Sequence, residues 1–180
     1  MSVLTEPEFF LGDNRYLEEI RRAVSLPLLR KDFTIDPYQI YEAKTLGASA
    51  VLLIVSLLKK DQLKEYLAIC RELELSALTE AHSEEEVAAA AEAGAEILGI
   101  NNRNLKTFEV DFSNALRLRH LVDKDTLFVA ESGISSGEDI KALSGAGVDA
   151  ALIGETLMRA ADKRKELERL REGEKSLGTS

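Results

Sequence analysis

The chain has 180 residues, 45% hydrophobic and 31% charged, with a net charge of -9, the size and balance of one globular domain with a substantial core. That acidity argues against broad binding to nucleic acid or to an anionic membrane surface, but leaves room for an anionic small molecule held by local positive charge. A single cysteine excludes an internal disulfide, and no apolar run approaches the roughly 18 residues of a membrane span. With no signal peptide opening the sequence, the expected setting is a reducing cytoplasm.

In chain order, strand and helix alternate. Ser2-Val3-Leu4-Thr5 reads as a strand, and Asn14 to Val24 as a helix with Leu17, Ile20 and Val24 on one face. The apolar run Leu26 to Leu29 reads as a short buried strand that ends abruptly in Arg30-Lys31-Asp32. Asp36-Pro37 is an N-cap with proline at the first helical position, and that helix runs to Leu46. Ala50 to Val55 is uninterrupted apolar, as in a parallel strand covered on both faces. Lys60 to Leu73 reads as a helix with Leu63, Leu67 and Cys70 inward, which makes Cys70 a structural thiol.

Ser76 to Thr79 is the next strand, and Ser83 with Glu86 forms a capping box that opens an alanine-rich helix ending at Gly94. Ile97 to Ile100 is a strand, followed by a longer polar loop and a helix from about Ser113 to Val122. Leu127 to Ala130 is a strand, Ser135 to Ser144 a helix, and Ala150 to Ile153 the last strand. A short helix, a charged terminal helix and a frayed tail over Gly173 to Ser180 complete a single domain spanning residues 1–180.

A repeat supports this register. Leu46-Gly47-Ala48, Ala93-Gly94-Ala95 and Ala146-Gly147-Val148 each place a glycine at a helix C-terminus before a tight turn and a buried strand. Repeated βα units make either an open doubly wound sheet or a closed barrel. Polar residues suited to chemistry end nearly every strand: Thr5-Glu6, Lys31, Ser56, Glu80, Asn101-Asn102-Arg103, Glu131-Ser132 and Gly154-Glu155. An open sheet would gather them at one switch point, whereas a ring of strands shares one mouth. The expected fold is therefore an α/β (β/α)8 TIM barrel, incomplete, with about seven βα units.

Lys31, Glu80 and Glu131 are the central group, since a lysine facing carboxylates can donate to a carbonyl or hydroxyl oxygen while a carboxylate accepts a proton. The competing reading is a charge network that only solvates the open end of the barrel. His82 reads as a capping or supporting residue and His120 as helix surface. No Cys/His cluster has metal-ligand spacing and no GxGxxG or P-loop pattern occurs, so neither a metal nor a nucleotide cofactor is expected. Glu131-Ser132-Gly133-Ile134 and Ile153-Gly154-Glu155-Thr156-Leu157 are phosphate candidates, because each glycine lets backbone N–H groups approach an anion. The bland alternative is that both glycines serve tight turns only. Glu155, beside the proposed anion, has to turn its carboxylate away and contribute its backbone.

With these residues placed, the sequence resembles the indole-3-glycerol phosphate synthases, ring-closing decarboxylases of tryptophan biosynthesis. The motifs that carry the resemblance run from Ser2 to about Ala161 and include Ser2-Val3-Leu4-Thr5-Glu6, Leu28-Leu29-Arg30-Lys31-Asp32-Phe33, Thr79-Glu80-Ala81-His82, Gly99-Ile100-Asn101-Asn102-Arg103-Asn104-Leu105, Ala130-Glu131-Ser132-Gly133-Ile134 and Ile153-Gly154-Glu155-Thr156-Leu157-Met158-Arg159. The resemblance implies a substrate with an anthranilate ring joined to an open-chain ribulose phosphate, closed to a pyrrole with loss of carbon dioxide and water. It implies Lys31 as general acid, Glu80 as general base, and Asn101, Glu131 and Ser132 positioning substrate and proton donors. Arg103, Gly133, Gly154 and the Glu155 amide would hold the phosphate, and Phe10, Phe33, Leu52 and Leu105 would line the aromatic pocket.

Family members also carry an N-terminal extension and a first strand with a Glu-x-Lys pair followed by a Ser-Pro-Ser loop, none of which occurs here. The expectation is a barrel lacking its first βα unit. Two alternatives stand beside the synthase: another phosphate-binding barrel enzyme of the phosphoribosyl isomerase type, and an inactive assembly that self-associates through open barrel edges.

Overall fold

A computed structural model describes residues 1–104 and 107–175 of the chain. Among these residues the strands form one seven-stranded sheet whose spatial order is the chain order, β1 to β7. Parallel strands in that order, each followed by a helix, are the arrangement of a (β/α)8 barrel carried through seven strands. The described residues fall into two compact units, Met1–Ala81 with Ala88–Leu98, and His82–Val87 with Gly99 onward.

In the first unit β1 (Ser2–Leu4), β2 (Leu29–Lys31), β3 (Ala50–Ile54) and β4 (Ser76–Ala81) pair in parallel. β2 is shorter than the sequence suggests: it begins at Leu29, and Leu26 is exposed. Pro27 explains this, because it has no N–H to give to a ladder. β3 is flanked on both sides and buried from Val51 to Ile54, as its unbroken apolar run requires.

The register sorts the strand residues by face. Leu4 lies level with Lys31, Arg30 with Val51, Leu52 with Leu78 and Ile54 with Glu80. Side chains alternate along a strand. Lys31, Leu52 and Glu80 therefore share one face, while Arg30 and Thr79 share the other.

Helices α1 (Asn14–Ala23), α2 (Tyr38–Thr45) and α3 (Lys60–Glu72) belong to the same unit. Asp13 caps α1 by accepting from Arg15 N, and Asp36 accepts from Tyr38 N at the start of α2, as Asp36-Pro37 foretells. α3 buries Leu63, Tyr66, Leu67 and Cys70, a helical stripe. Burial pushes the Cys70 thiol up to about 11 despite the neighbouring Arg71 charge, so it is an inert core group near neutral pH.

α4 (Glu84–Ala93) and β5 (Ile97–Asn101) each have residues in both units. The second unit contains α5 (Ser113–Leu118), a 3-10 turn over Arg119–Leu121, β6 (Leu127–Glu131), α6 (Gly137–Gly145), β7 (Ala150–Leu152), α7 (Glu155–Arg159) and α8 (Lys163–Lys175). β7 departs from expectation. Ala150 and Ala151 are exposed, because β7 ends the strand order and has β6 on one side only. Of the stretch expected to fray, residues 176–180 lie outside the described residues.

The three glycine turns share a device. Gly47, Gly94 and Gly147 all have left-handed φ angles, and each meets an arginine from one βα unit earlier: Arg21 of α1, Arg71 of α3 and Arg119 of the 3-10 turn after α5. Arg71 donates to Gly94 O at 2.6 Å, Arg119 donates to Gly147 O at 2.7 Å, and the Arg21 side chain packs against Gly47.

Candidate active site

In the first unit the strand ends carry an ion pair into a largely enclosed setting. Lys31 Nζ lies 3.5 Å from Glu80 Oε2, with side chains 17% and 1% exposed. That spacing is an ion pair, longer than a tight charge-assisted hydrogen bond. The Phe10 ring lies 5.8 Å from the same Nζ, and the Phe10 and Phe33 rings meet tilted at 42° with centroids 4.9 Å apart. Phe9 adds an edge contact to Phe33 at 5.7 Å. Leu52 is fully buried in β3 on the face shared by Lys31 and Glu80. A cation and a carboxylate are thus held together with an aromatic ring beside the ammonium, a pairing that can donate and accept a proton.

The loop bearing Phe9 and Phe10 is folded around Glu6. Its carboxylate accepts from the N–H groups of Glu8, Phe9 and Phe10 at 2.9, 2.6 and 3.1 Å, and its carbonyl accepts from Gly12 N at 2.7 Å. Burial alone would raise the Glu6 carboxyl, but the three N–H donors outweigh it and hold it below the ordinary value. Only glycine fits at position 12, where a Cβ would lie 2.4 Å from Leu4 O. The sequence reading noted Glu6 only as a polar strand end; its acceptor role follows from a carboxylate placed just before a tight, N–H-rich turn.

In the second unit Asn101 ends β5 and Glu131 ends β6, both buried, and Asn102 N donates to Glu131 O at 2.8 Å. Asn101 Oδ1 accepts from Arg103 N at 2.9 Å. Asn102, absent from the expected site, is the local clamp: its Nδ2 donates to Ser132 O and its Oδ1 accepts from Ala115 N in α5. Ser132 and Gly133 follow with φ of +66° and +74°. The value at Ser132 is strained for a residue with a Cβ, and such strain concentrates at functional turns.

The two candidate glycines differ. Gly133 is demanded by its turn, since it is left-handed and a Cβ there would lie 2.5 Å from Val110 Cγ1. Gly154 has an ordinary φ of −110°, and a Cβ would meet no heavy atom within 4 Å. Neither turn geometry nor crowding explains glycine at 154.

The Glu155 carboxylate is held by two arginines. It accepts from Arg103 Nη2 and from Arg159 Nε, both at 2.9 Å. The Arg159 hydrogen bond and charge, followed by the Arg103 charge, hold its carboxyl below the usual range. The reason is electrostatic, because two guanidinium groups lie within reach of one carboxylate. Arg103, the expected phosphate ligand, is thereby oriented by Glu155.

His82 Nδ1 lies 3.3 Å from Glu86 Oε2, consistent with a supporting role, and His120 is exposed. Leu105 lies outside the described residues. Among the described residues no group of three or more His, Cys, Asp or Glu side chains is placed to hold a metal ion, and no helix is long and apolar enough to cross a membrane.

The family model described as indole-3-glycerol phosphate synthase matches residues 1–170. An indole-3-glycerol phosphate synthase of Ruminiclostridium cellulolyticum is 61% identical over 171 residues, covering 95% of this chain and 66% of its own length. One from Lachnoclostridium phytofermentans is 58% identical over 164 residues, covering 91% of this chain and 60% of its own. The chain thus spans about two thirds or less of the length of these curated relatives. Among solved structures, 3-hexulose-6-phosphate synthase from Salmonella typhimurium superposes with a TM-score of 0.79 at 14% identity, covering 95% of this chain and 85% of that one. Thiamine phosphate pyrophosphorylase from Pyrococcus furiosus gives a TM-score of 0.71 at 20% identity, covering 97% and 83%. At such identities these two speak for the fold alone.

Proposed function

The chain belongs to the indole-3-glycerol phosphate synthase family, and we propose that its strand ends serve the conversion of 1-(2-carboxyphenylamino)-1-deoxyribulose 5-phosphate to indole-3-glycerol phosphate in the cytoplasm. Lys31 donates a proton to the ketone oxygen as the ring carbon bearing the carboxylate attacks the ketone carbon. The new C–C bond forms, the bond to the carboxylate breaks, and carbon dioxide leaves as the ring regains aromaticity. Lys31, reprotonated from solvent, then donates to the hydroxyl so that it leaves as water, and Glu80 removes the carbon-bound proton whose loss completes the pyrrole. Confinement by Phe10, Phe33 and Leu52 brings the reacting carbons together.

Asn101, Glu131 and Ser132 position substrate and proton donors. Arg103 and the backbone N–H groups at Gly133, Gly154 and Glu155 hold the phosphate. Support for this last role comes from the open space beside Gly154 and from the left-handed turn at Ser132-Gly133, which bunches N–H groups as anion sites do.

The observation that carries the reading is the enclosed Lys31–Glu80 pair at 3.5 Å with the Phe10 ring beside the ammonium. Calorimetric titration with a reduced, non-cyclising substrate analogue tests it, alongside an indole-fluorescence assay for product. Binding by the wild type and about tenfold or greater weakening in Lys31→Ala are expected. No affinity for the analogue would end the proposal, and a Lys31→Ala chain that keeps full affinity would favour the phosphoribosyl isomerase type instead.

Self-association is the second reading, favoured by β1 and β7 standing at the ends of the strand order and by the exposure of Ala150 and Ala151. Light scattering over a range of concentrations is expected to show mass rising with concentration. A constant monomer mass would remove this reading.

A further inference from the structure

We infer that Thr5, Arg30 and Asp32 are positioning residues that fix the direction of Lys31. The inference rests on the role proposed above for Lys31 and deepens it. Arg30 and Asp32 flank Lys31 in sequence, and alternation sends their side chains to the helix-covered face while Lys31 goes to the other.

On the helix side, Arg30 is buried and every guanidinium nitrogen is engaged. Nε donates to Thr5 Oγ1 at 3.2 Å, and Nη1 to Gln39 O at 2.9 Å. Nη2 reaches Asn14 Oδ1 at 3.1 Å, Glu42 Oε2 at 2.7 Å and Asp32 Oδ2 at 3.2 Å. One arginine thereby ties β2 to the first residue of α1 and to two residues of α2. Asp32, also buried, closes the network by accepting from Thr5 Oγ1 at 2.6 Å and from Phe33 N at 2.8 Å. Across the ladder, Thr5 N donates to Lys31 O at 3.1 Å.

The arrangement answers a specific weakness. β2 is three residues long, so few ladder bonds resist twisting of its last residue. Clamping the residues on either side prevents rotation about the strand axis, and Nζ inherits a fixed direction. Apolar packing would serve stability as well as a buried ion network, whose desolvation cost is high. Orientation is what the charged network adds.

The test compares Thr5→Val, Thr5→Ser and Asp32→Asn with the wild type. Each is labelled with trace acetic anhydride across a pH series, and acetylation of the Lys31 peptide is read by mass spectrometry against an exposed reference, Lys163. Thermal melts are recorded in parallel. In Thr5→Val and Asp32→Asn the relative reactivity of Lys31 is expected to change by about threefold or more, while Thr5→Ser keeps the wild-type profile. An unchanged Lys31 profile in both Thr5→Val and Asp32→Asn overturns the inference, whatever happens to the melting temperature. Because labelling needs no substrate, it separates the two proposals. A wild type that binds no analogue while Lys31 labelling responds sinks the functional reading and leaves the anchor standing.

Discussion

The two units end their strands in contrasting ways. In the first, the polar groups sit on strand ends: half-buried Lys31 and buried Glu80 on one face, with the buried Arg30–Asp32 network behind them. In the second, Asn101 and Glu131 are buried at strand ends, but the groups proposed to hold an anion lie on turns or at the surface. Arg103 and Glu155 are 31% and 56% exposed, and Ser132-Gly133 is a left-handed bend. The difference matches the work proposed for each part. Proton transfer depends on direction and on exclusion of water, so donor and acceptor belong on rigid, packed strands. Holding a phosphate needs N–H groups and a guanidinium, which turns and solvent-facing arginines supply.

The largest expected effect breaks or supports this contrast in rigidity. A Cβ on Gly12 would lie 2.4 Å from Leu4 O, 2.5 Å from Leu4 C and 2.6 Å from Thr5 N, all backbone atoms of β1 and its continuation. A Cβ on Gly133 would meet Val110 Cγ1 at 2.5 Å, but that side chain is 42% exposed and can swing aside. Gly12→Ala is expected to cost about 3 kcal/mol or more in urea unfolding. Gly133→Ala should cost about 1–2 kcal/mol, chiefly for its left-handed φ. The reverse order would mean that the β1 end yields more readily than the turn after β6.

Much of this was legible in the sequence, for identifiable reasons. Strand and helix alternation, the three glycine turns and the strand-end residues are local signals, written in apolar runs and in the glycine needed for left-handed φ. The pairing of Lys31 with Glu80 followed from the parallel architecture, because such strands deliver their last residues to the same end. What escaped was non-local or set by side-chain direction. Leu26 looked like strand until Pro27 is given its missing donor. The ion pair of Glu155 with Arg103, fifty-two positions away, is written in neither local stretch of sequence. Arg30 and Asp32 read as ordinary charges at a strand end; only the meeting of β1, β2, α1 and α2 turns them into a buried network. Asn102 was hidden by its neighbour Asn101, since sequence alone does not tell which of two adjacent amides faces inward.

A smaller effect sharpens the contrast at the start of α4, where the second unit also uses a half-buried carboxylate. Ser83 Oγ accepts from Glu86 N at 3.3 Å, as a capping box requires, but the return arm is displaced by one residue. Glu86 Oε2 accepts from His82 N at 2.8 Å and lies 3.3 Å from His82 Nδ1. The His82 side-chain bond, opposed by burial and aided by the backbone N–H, holds the Glu86 carboxyl below its ordinary 4.5. A carboxyl lowered in the folded state stabilises the fold above its unfolded value, and that contribution is lost as pH falls through the folded value. Glu86→Gln removes the titration while keeping an acceptor for His82 N. Its stability deficit at neutral pH should be under about 1 kcal/mol, given the partial exposure of the pair, and should shrink as pH is lowered from below 4.5. Urea midpoints of both proteins across the acid range read this directly. A deficit that stays constant with pH would show that His82 and Glu86 touch without coupling to folding, and the turn that follows Glu80 would then owe its shape to Ser83 alone.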